Sequence, residues 1–210
     1  MMLTEMKSAY RKAFPSHRST LIPKLLEGCE SVLDLGCGRT SPLRFYKAKY
    51  SIGVDLFDPY LKRSQEERIH SEYILSDVTE VEFEPDSFDA VLCTEVLEHI
   101  TKEKGRELIE KMKTWARKRV LITTTNGFCT QEVVDGNENQ THISGWSIDE
   151  LTDLGFGLIG IRGWIGLRKY YDSEKKVIKF IAERASDVTQ KITYHFPKAS
   201  HRVIGIYSLD

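Results

Sequence analysis

Short apolar runs alternate with longer amphipathic segments along most of the 210-residue chain. The runs are rich in residues that favour strands, and several of the segments between them have the length and apolar spacing of helices. This alternation predicts an α/β fold, a doubly wound and mostly parallel sheet that is covered by helices on both faces. Strands are predicted at residues 31–35, 50–56, 73–75, 88–93 and 119–125, and helices at 59–70 and 102–118.

The C-terminal part of the chain adds two strand-like runs, at residues 156–164 and 202–209, with a long amphipathic segment between them. Its apolar residues follow helical spacing from Val177 to Ile192, and its outer face is basic. We expect this stripe to pack against the sheet or to form a lid; a membrane-surface helix is the alternative. The predicted organisation is one domain over 1–210, with an N-terminal helical segment at 1–28 and a helical insertion at 165–200.

The composition is typical of an ordinary globular protein, with 40% hydrophobic and 29% charged residues. No apolar run reaches the length of about 18 residues that a membrane span requires, and the first residues lack the apolar centre of a signal peptide. The four cysteines form no C-x-x-C pair, which favours a reducing compartment over a disulfide framework or a zinc knuckle. We therefore expect a cytoplasmic protein without a membrane span.

Charge is distributed unevenly along the chain, although the net charge is only -1. Residues 1–27 and 162–202 carry a basic excess, whereas residues 28–161 carry an acidic one. We expect the basic flanks to fold back over the acidic body. The alternative is a basic rim that attracts an anionic substrate.

The first predicted strand leads directly into a glycine turn, in the segment SVLDLGCGRTSPL. Gly36 and Gly38 lack a Cβ, so the backbone can turn sharply there and approach a ligand closely. A dinucleotide site would need the pattern G-x-G-x-x-G facing an anionic pyrophosphate, but the sixth position is Ser41. The carboxylate of Asp34, two residues before the turn, would repel a pyrophosphate and attract an ammonium group. The turn thus favours a cationic ligand.

Acidic residues also end the next two predicted strands. Asp55 occupies the position at which doubly wound nucleotide-binding folds place the acid that binds ribose hydroxyls, although a turn-forming Asp is the simpler interpretation. Asp77 lies at the same edge of the sheet, where it could accept a hydrogen bond from an adenine amino group while the Val78 amide reaches a ring nitrogen. A ligand with an ammonium group, a ribose and an adenine but no phosphate is S-adenosylmethionine.

The ordered series VLDLGCG, GVDL, LSDV, SFDAVLCTEVLEHI and HISGWSIDEL resembles class I S-adenosylmethionine-dependent methyltransferases over roughly residues 20–165. The resemblance implies a Rossmann-like, seven-stranded sheet whose last strand is antiparallel. Residues 1–15 and 166–200 fall outside its motifs. By this resemblance the cofactor is held by Asp34, Gly36, Cys37, Gly38, Asp55, Leu56, Asp77, Val78 and Thr94.

The segment CTEVLEHI follows the fourth strand and so enters the active-site edge beside the methyl group. If the chain turns helical at Thr94, Glu95, Glu98 and His99 share one face. The simplest interpretation is that the apolar residues pack the segment and the polar ones make supporting hydrogen bonds. Alternatively, His99 or His142 is a general base for a hydroxyl or amine, since histidine titrates near neutral pH.

A third interpretation is a metal site. In small-RNA 3′-terminal 2′-O-methyltransferases and in ubiquinone-pathway O-methyltransferases, an E-x-x-E-H segment at this place is associated with a divalent metal. By that resemblance Glu95, Glu98, His99 and His142 would hold Mg²⁺ or Mn²⁺, and the ion could orient two adjacent hydroxyls. The simpler interpretation of His142 is capping or packing within its loop.

The loop at residues 123–141 is long, polar and suited to a lid or a substrate wall, which makes Asn126, Phe128 and Trp146 candidate substrate contacts. We expect methyl transfer to a small-molecule acceptor, at a hydroxyl. The alternatives are RNA, methylated at a terminal ribose and contacted by the basic segment 162–202, and a cofactor-binding subunit without catalysis. We expect a monomer, or a homodimer formed through residues 174–192.

Overall fold

The computed structural model describes residues 17–131, 133, 135–171 and 175–209, so most of the predicted N-terminal segment at 1–28 lies outside the described residues. The described chain contains a seven-stranded sheet flanked by helices. The strands are β1 (Ser31–Leu35), β2 (Tyr50–Asp55), β3 (Glu72–Leu75), β4 (Phe88–Thr94), β5 (Ala116–Thr125), β6 (Gly157–Trp164) and β7 (Ser200–Ser208).

The strand order across the sheet is β3-β2-β1-β4-β5-β7-β6. The first five strands pair in parallel, and β7 pairs antiparallel with both β5 and β6. The predicted doubly wound sheet with an antiparallel last strand is therefore confirmed. Every residue of β4 is buried, as expected for a central parallel strand that is covered on both faces.

The helices are α1 (Ile22–Leu25), α2 (Asp58–Glu66), α3 (Lys102–Trp115), α4 (Ile148–Asp153), α5 (Arg168–Tyr171) and α6 (Lys176–Thr193), and α1 continues a π-helical turn at His17–Leu21. The helix predicted at 102–118 ends at Trp115 because β5 begins with the next residue. The helix predicted at 59–70 ends at Glu66, since Arg68 adopts a positive φ of 51°. Ser147 and Glu150 form a capping box that starts α4.

Alternate residues of the central strands feed two cores, one on each face of the sheet. On one face, Leu33 and Val91 pack in a cluster with residues of α3 and α4, including Trp115. On the other, Val32 and Leu92 pack with Ile22 of α1. Burying each such side chain contributes roughly 1.5–3 kcal/mol, so the strands are held from both sides and their carboxyl ends form a fixed edge.

α5 and α6 lie between β6 and β7 in the chain. The expectation that the apolar stripe of α6 packs against the sheet is not met, because Val177, Ile181, Val188 and Ile192 are exposed. The helix instead turns its Ser, Thr and Gln side chains toward β6.

Within the described part of the chain, no helix combines the length and the apolar character that crossing a bilayer would require.

Candidate active site

The turn after β1 is held against the neighbouring strands by its backbone. Gly36 and Gly38 adopt positive φ values of 67° and 54°, and the Cys37 amide donates to the Val54 carbonyl over 2.9 Å. A Cβ on Gly36 would come within 2.2 Å of Cγ2 of Val96, so the turn packs directly against the segment after β4. Glycine is thus required at position 36 for two reasons: it adopts this positive φ without strain, and there is no room for a Cβ.

A cavity of about 310 Å³ opens at the carboxyl edge of β1 to β4. This volume suits a small-molecule site. Eight of the nine predicted cofactor residues line it, and only Asp34 is not in its wall. The eight are Gly36, Cys37, Gly38, Asp55, Leu56, Asp77, Val78 and Thr94.

Asp55 braces the turn from the end of β2. Its Oδ2 accepts a hydrogen bond from the Gly38 amide over 2.7 Å, and its Oδ1 accepts one from the Phe57 amide over 2.8 Å. Burial raises the pKa of Asp55, while these two amide hydrogen bonds oppose that rise. Each carboxylate oxygen keeps a further lone pair that could accept a hydroxyl at the cavity wall.

Asp77 follows β3 on the same side of the cavity. Its Oδ1 accepts hydrogen bonds from the amide and the hydroxyl of Thr79, both over 2.9 Å, which fixes the turn that carries Val78. The exposed Leu56 follows the neighbouring parallel strand β2 at the same edge and also lines the cavity. These residues form a polar and apolar wall of the kind that an adenine ring needs.

Asp34 does not face the cavity as the sequence suggested. It is fully buried, and its Oδ2 accepts the Ser41 hydroxyl over 2.5 Å and lies 2.9 Å from Nε2 of His70. Its Oδ1 is also buried and has no hydrogen-bond partner among the described residues. Asp34 therefore supports the glycine turn from behind through Ser41 and His70, and it does not face the cavity where an ammonium group was expected. His70 lies between α2 and β3, and no pattern in the sequence indicated that it would contact Asp34.

The segment CTEVLEHI does not turn helical at Thr94, so the condition for placing Glu95, Glu98 and His99 on one helical face is not met. β4 continues to Thr94, Glu95 adopts a positive φ of 58°, and a 3₁₀ turn follows at Leu97–His99. The kink at Glu95 sends its carboxylate away from the other two residues. It forms an ion pair with Arg202 and accepts the Thr123 hydroxyl over 2.7 Å. Glu95 therefore does not join the predicted metal group.

The other three predicted metal ligands do come together. One ligand atom each of Glu98, His99 and His142 lies within 4.8 Å of the others. Glu98 is fully buried, and its Oε2 accepts the Thr124 hydroxyl over 2.9 Å. His99 also lines the cavity, so the group stands at the rim of this cavity.

Both imidazoles are oriented by backbone carbonyls. Nδ1 of His99 lies 3.1 Å from the Thr141 oxygen, and Nδ1 of His142 lies 2.5 Å from the Cys129 oxygen. A carbonyl only accepts, so each Nδ1 carries the proton and each Nε2 keeps its lone pair. Burial is the main cause that lowers the pKa of both His99 and His142, which favours the neutral rings.

Two of the three candidate substrate contacts have structural tasks instead. Trp146 is fully buried, donates from Nε1 to the Leu97 carbonyl over 3.2 Å, and packs over Gly105 of α3. The Asn126 amide donates to three carbonyls between Pro197 and Ser200, which ties the loop to β7. Phe128 is 56% exposed and so remains a candidate contact.

The structure adds contacts beside the cavity that the sequence did not single out. Asp135, in the loop after β5, pairs with Arg39 beside the glycine turn and accepts the Tyr60 hydroxyl over 2.8 Å. In the sequence, only the adjacent Gly136 indicated that the chain turns at Asp135. We call these two contacts of Asp135 the Asp135 latch, because they tie the loop after β5 to the glycine turn and to α2. Asn137 and Gln140 follow in the same loop and form part of the cavity wall.

The comparisons with known proteins agree with this architecture. Residues 33–122 match the family model described as a methyltransferase domain. No curated protein sequence matches the chain significantly.

Solved structures similar to the chain include a SAM-dependent methyltransferase from Archaeoglobus fulgidus, 21% identical, covering 97% of this chain and 99% of that one with a TM-score of 0.58. The methyltransferase domain of bacterial CtHen1-CN is 17% identical, with coverage of 92% and 98% and a TM-score of 0.56. A Burkholderia thailandensis 1,6-didemethyltoxoflavin-N1-methyltransferase, solved with that substrate and S-adenosylhomocysteine, is 14% identical, with coverage of 98% and 85% and a TM-score of 0.57. Likeness at these identities establishes the shared fold.

Proposed function

We propose that the chain is a class I S-adenosylmethionine-dependent methyltransferase and that it methylates a hydroxyl group of a small molecule bound beside His99 and His142; the methyltransferase-domain match over residues 33–122 and the shared fold support this. The observation that carries the choice of a hydroxyl is the group of Glu98, His99 and His142 at the rim of the cofactor cavity. A hydroxyl is a poor nucleophile until its proton is removed, and these groups can assist that removal.

The cofactor is proposed to lie across the carboxyl edge of β1 to β4. The ribose hydroxyls donate to Asp55, and the adenine lies between Leu56 and Val78 with its amino group toward Asp77. The methionine part follows the turn at Gly36 and Gly38, and Thr94 bounds it at the end of β4. This support comes from the eight predicted residues that line the cavity.

Methyl transfer is an in-line displacement. The acceptor oxygen forms a bond to the methyl carbon while the carbon–sulfur bond breaks, and S-adenosylhomocysteine leaves with that electron pair. In the absence of a metal ion, the hydroxyl proton passes to Nε2 of His99 or His142, each of which is neutral and held by its Nδ1 carbonyl contact. Because the sulfonium is already activated, most of the rate enhancement comes from holding the oxygen in line.

The same residues fit a divalent metal. A buried carboxylate and two imidazoles with free Nε2 lone pairs are a mixed oxygen and nitrogen donor set that suits Mn²⁺ or Mg²⁺, with Glu98, His99 and His142 as the ligands. When bound, such an ion would lower the pKa of a coordinated hydroxyl. Glu95 is not proposed as a ligand, because its carboxylate is engaged by Arg202 and Thr123.

The second candidate acceptor is the terminal ribose of an RNA. It is favoured by the likeness of E-x-x-E-H and His142 to the small-RNA enzymes, in which two adjacent hydroxyls face the metal. The departure of Glu95 from the group weighs against it. A small molecule with two adjacent hydroxyls fits the same group of Glu98, His99 and His142, and its binding requires no nucleic-acid-binding surface on the protein.

Calorimetry with S-adenosylmethionine and with NAD tests the cofactor. We expect binding of the former only, and a more than tenfold loss on Asp55→Ala, since a buried carboxylate that accepts ribose hydroxyls contributes about 1.5–3 kcal/mol. Asp58→Ala, on the exposed side of α2, is the matched control. Failure of the wild-type chain to bind S-adenosylmethionine would contradict the proposal.

Methyl-labelled cofactor offered to three pools tests the acceptor. The pools are small molecules with adjacent hydroxyls, the same molecules with one hydroxyl removed, and short RNAs with a 3′-terminal diol. Labelling of the first pool alone supports the proposal, and labelling of the RNA alone supports the second candidate. Cofactor binding without labelling of any pool is the result expected of a non-catalytic subunit.

A further inference from the structure

The long helix α6 covers the free edge of the sheet with its polar face. β6 is the outermost strand on that side, so its outer backbone groups need partners. The Gln190 side chain donates to the Gly160 carbonyl over 2.9 Å and accepts from the Gly163 amide over 3.1 Å. Thr189 accepts from the Trp164 amide, and the Ser186 hydroxyl donates to the Arg162 carbonyl.

This arrangement fixes the rotation of α6 about its axis. Close approach is possible because β6 offers glycines at the contact, and a Cβ on Gly163 would come within 2.4 Å of the Ser186 carbonyl oxygen. The buried small residues Ala182 and Ser186 lie on this side. With its polar face committed to the strand, the helix must present its apolar residues outward.

The outward face carries a stripe of four aliphatic residues, which we call the α6 stripe. Val177, Ile181, Val188 and Ile192 have relative exposures of 70%, 59%, 65% and 64%. They extend over about 22 Å of the helix at 1.5 Å per residue. Phe180, 56% exposed, lies beside them. A contiguous apolar patch of several hundred Å² marks an interaction surface in most proteins.

The α6 stripe is symmetric about the middle of the helix. Val177 and Ile192 are equally far from the point between Arg184 and Ala185, and so are Ile181 and Val188. A two-fold axis through that point would therefore place Val177 against Ile192 of a second copy, and Ile181 against Val188. An isologous interface requires this kind of self-complementary spacing.

The charges beside the stripe are also self-complementary. Arg184 lies 3.9 Å from Asp187 and stacks over the Phe180 ring at 4.9 Å. In an antiparallel pair, the arginine of one copy would face the small Ala185 of the other and lie within reach of its Asp187. The exposed Lys175 and Lys191 also lie at the two ends of the helix, so an anionic lipid surface is the alternative occupant that the vesicle experiment below tests.

We propose that α6 is the interface of a homodimer in which two copies of the helix pack antiparallel about a two-fold axis between Arg184 and Ala185. The inference is independent of the acceptor and of the cofactor. A single helix pair buries an area at the low end of specific interfaces, so the dimer population should rise with protein concentration in the micromolar range.

Sedimentation velocity of the full chain over a range of concentrations tests the proposal. The wild type should pass from the mass of one chain toward twice that mass. Ile181→Glu and Val188→Glu should stay monomeric, whereas Phe45→Glu, an exposed apolar residue outside the stripe, should behave as the wild type. The circular dichroism spectrum and the thermal midpoint of each variant report whether it has folded.

Cysteine cross-linking tests the register. In a Cys129→Ser background, the three remaining native cysteines are buried. The double variant Val177→Cys with Ile192→Cys should form a covalent dimer on oxidation, while each single variant should not, since its thiols lie at opposite ends of the pair. Cross-linking of the single variants would contradict the antiparallel arrangement.

If the wild type sediments as a monomer at every concentration, the dimer proposal is wrong. The same holds if the stripe binds phosphatidylcholine vesicles containing phosphatidylserine and the chain in solution stays monomeric, because a membrane would then be the occupant. Loss of S-adenosylmethionine binding by the wild type would affect only the proposed function and would leave the mass measurement intact.

Discussion

His99 and His142 pack edge to face, with their ring centroids 4.8 Å apart and an interplanar angle of 66°. They come from different loops, 43 positions apart, and each is oriented by a carbonyl in the loop after β5. Because that loop carries both the Thr141 and Cys129 oxygens, one segment sets the direction of both rings. The chemistry at the cavity rim therefore depends on how this loop is held.

If Glu98, His99 and His142 hold a metal as proposed, Mn²⁺ should stabilise the wild-type chain, because the three side chains are brought together only in the folded state. At a concentration a hundred times Kd, the gain is about 2.7 kcal/mol, visible as a rise in the thermal midpoint. His142→Ala should abolish the rise. His195→Ala, an exposed histidine outside the group, should keep it. An equal response of both variants would exclude this metal site.

Replacing Gly36 should destabilise the fold much more than replacing Gly28. Both have a positive φ, but the space around Gly28 is open while a Cβ on Gly36 meets Val96. Gly28→Ala should cost about 1–2 kcal/mol from the backbone alone, and Gly36→Ala about 1–3 kcal/mol more from the clash. Urea denaturation measures both.

A second substitution separates the two contributions at Gly36. Val96→Ala in the Gly36→Ala chain removes the methyl groups that the new Cβ meets, so part of the lost stability should return. If Gly36→Ala were no worse than Gly28→Ala, the tight contact between the turn and the segment after β4 would be wrong.

Removing the charge of Asp135 should loosen the loop over the cavity. Asp135→Asn keeps a residue that tolerates the positive φ of 54° but weakens the pair with Arg39. Since the pair is solvent-exposed, we expect a small effect, at most a few-fold weaker S-adenosylmethionine binding, with kcat unchanged or higher. Asp58→Asn, in the exposed pair with Lys62, is the matched control.

Stopped-flow measurement of cofactor release distinguishes this latch from a fold defect. A loosened loop should release S-adenosylmethionine faster without lowering the thermal midpoint by more than the control does. Unchanged release would mean that Asp135 only stabilises its own turn.

The buried His201 should make folding stability dependent on pH. Burial lowers its pKa to about 3, helped by the nearby positive charges of Arg168 and Arg162. Above the unfolded pKa of about 6.5 the ring is neutral in both states, so the full stability is present. As the pH falls below 6.5, only the unfolded state gains the proton, and stability is lost until the pH reaches the folded value.

The loss attributed to this residue is at most about 5 kcal/mol, at 1.36 kcal/mol for each unit between the unfolded pKa of about 6.5 and the folded pKa of about 3. His201→Gln should therefore show a flatter stability profile than the wild type in urea denaturation at several pH values. The comparison of slopes cancels the contributions of other groups. Parallel profiles would mean that His201 is accessible to protons in the folded state.

The sequence by itself determined the sheet and the edge of the sheet at which the cavity opens. Strand-length apolar runs that alternate with helical segments leave few topologies other than a doubly wound sheet. In that topology the ends of parallel strands share one edge, so the glycine turn, Asp55 and Asp77 had to meet there. These features follow from local spacing and from the geometry of parallel strands.

Tertiary structure decided the direction of each side chain at that edge. Asp34 points behind the turn because Ser41 and His70 bind it there, and Glu95 turns away from Glu98 because its positive φ brings it to Arg202. These partners are distant in sequence, apart from Ser41, and no local pattern encodes them.

The same limit applies to helix α6. Its amphipathic spacing predicted a helix, but the spacing does not show which face of the helix packs against the rest of the molecule. The unpaired edge of β6 takes hydrogen bonds from the polar face, which leaves Val177, Ile181, Val188 and Ile192 outward. Periodicity specifies the helix, whereas the hydrogen-bonding demand of a neighbouring strand specifies its rotation.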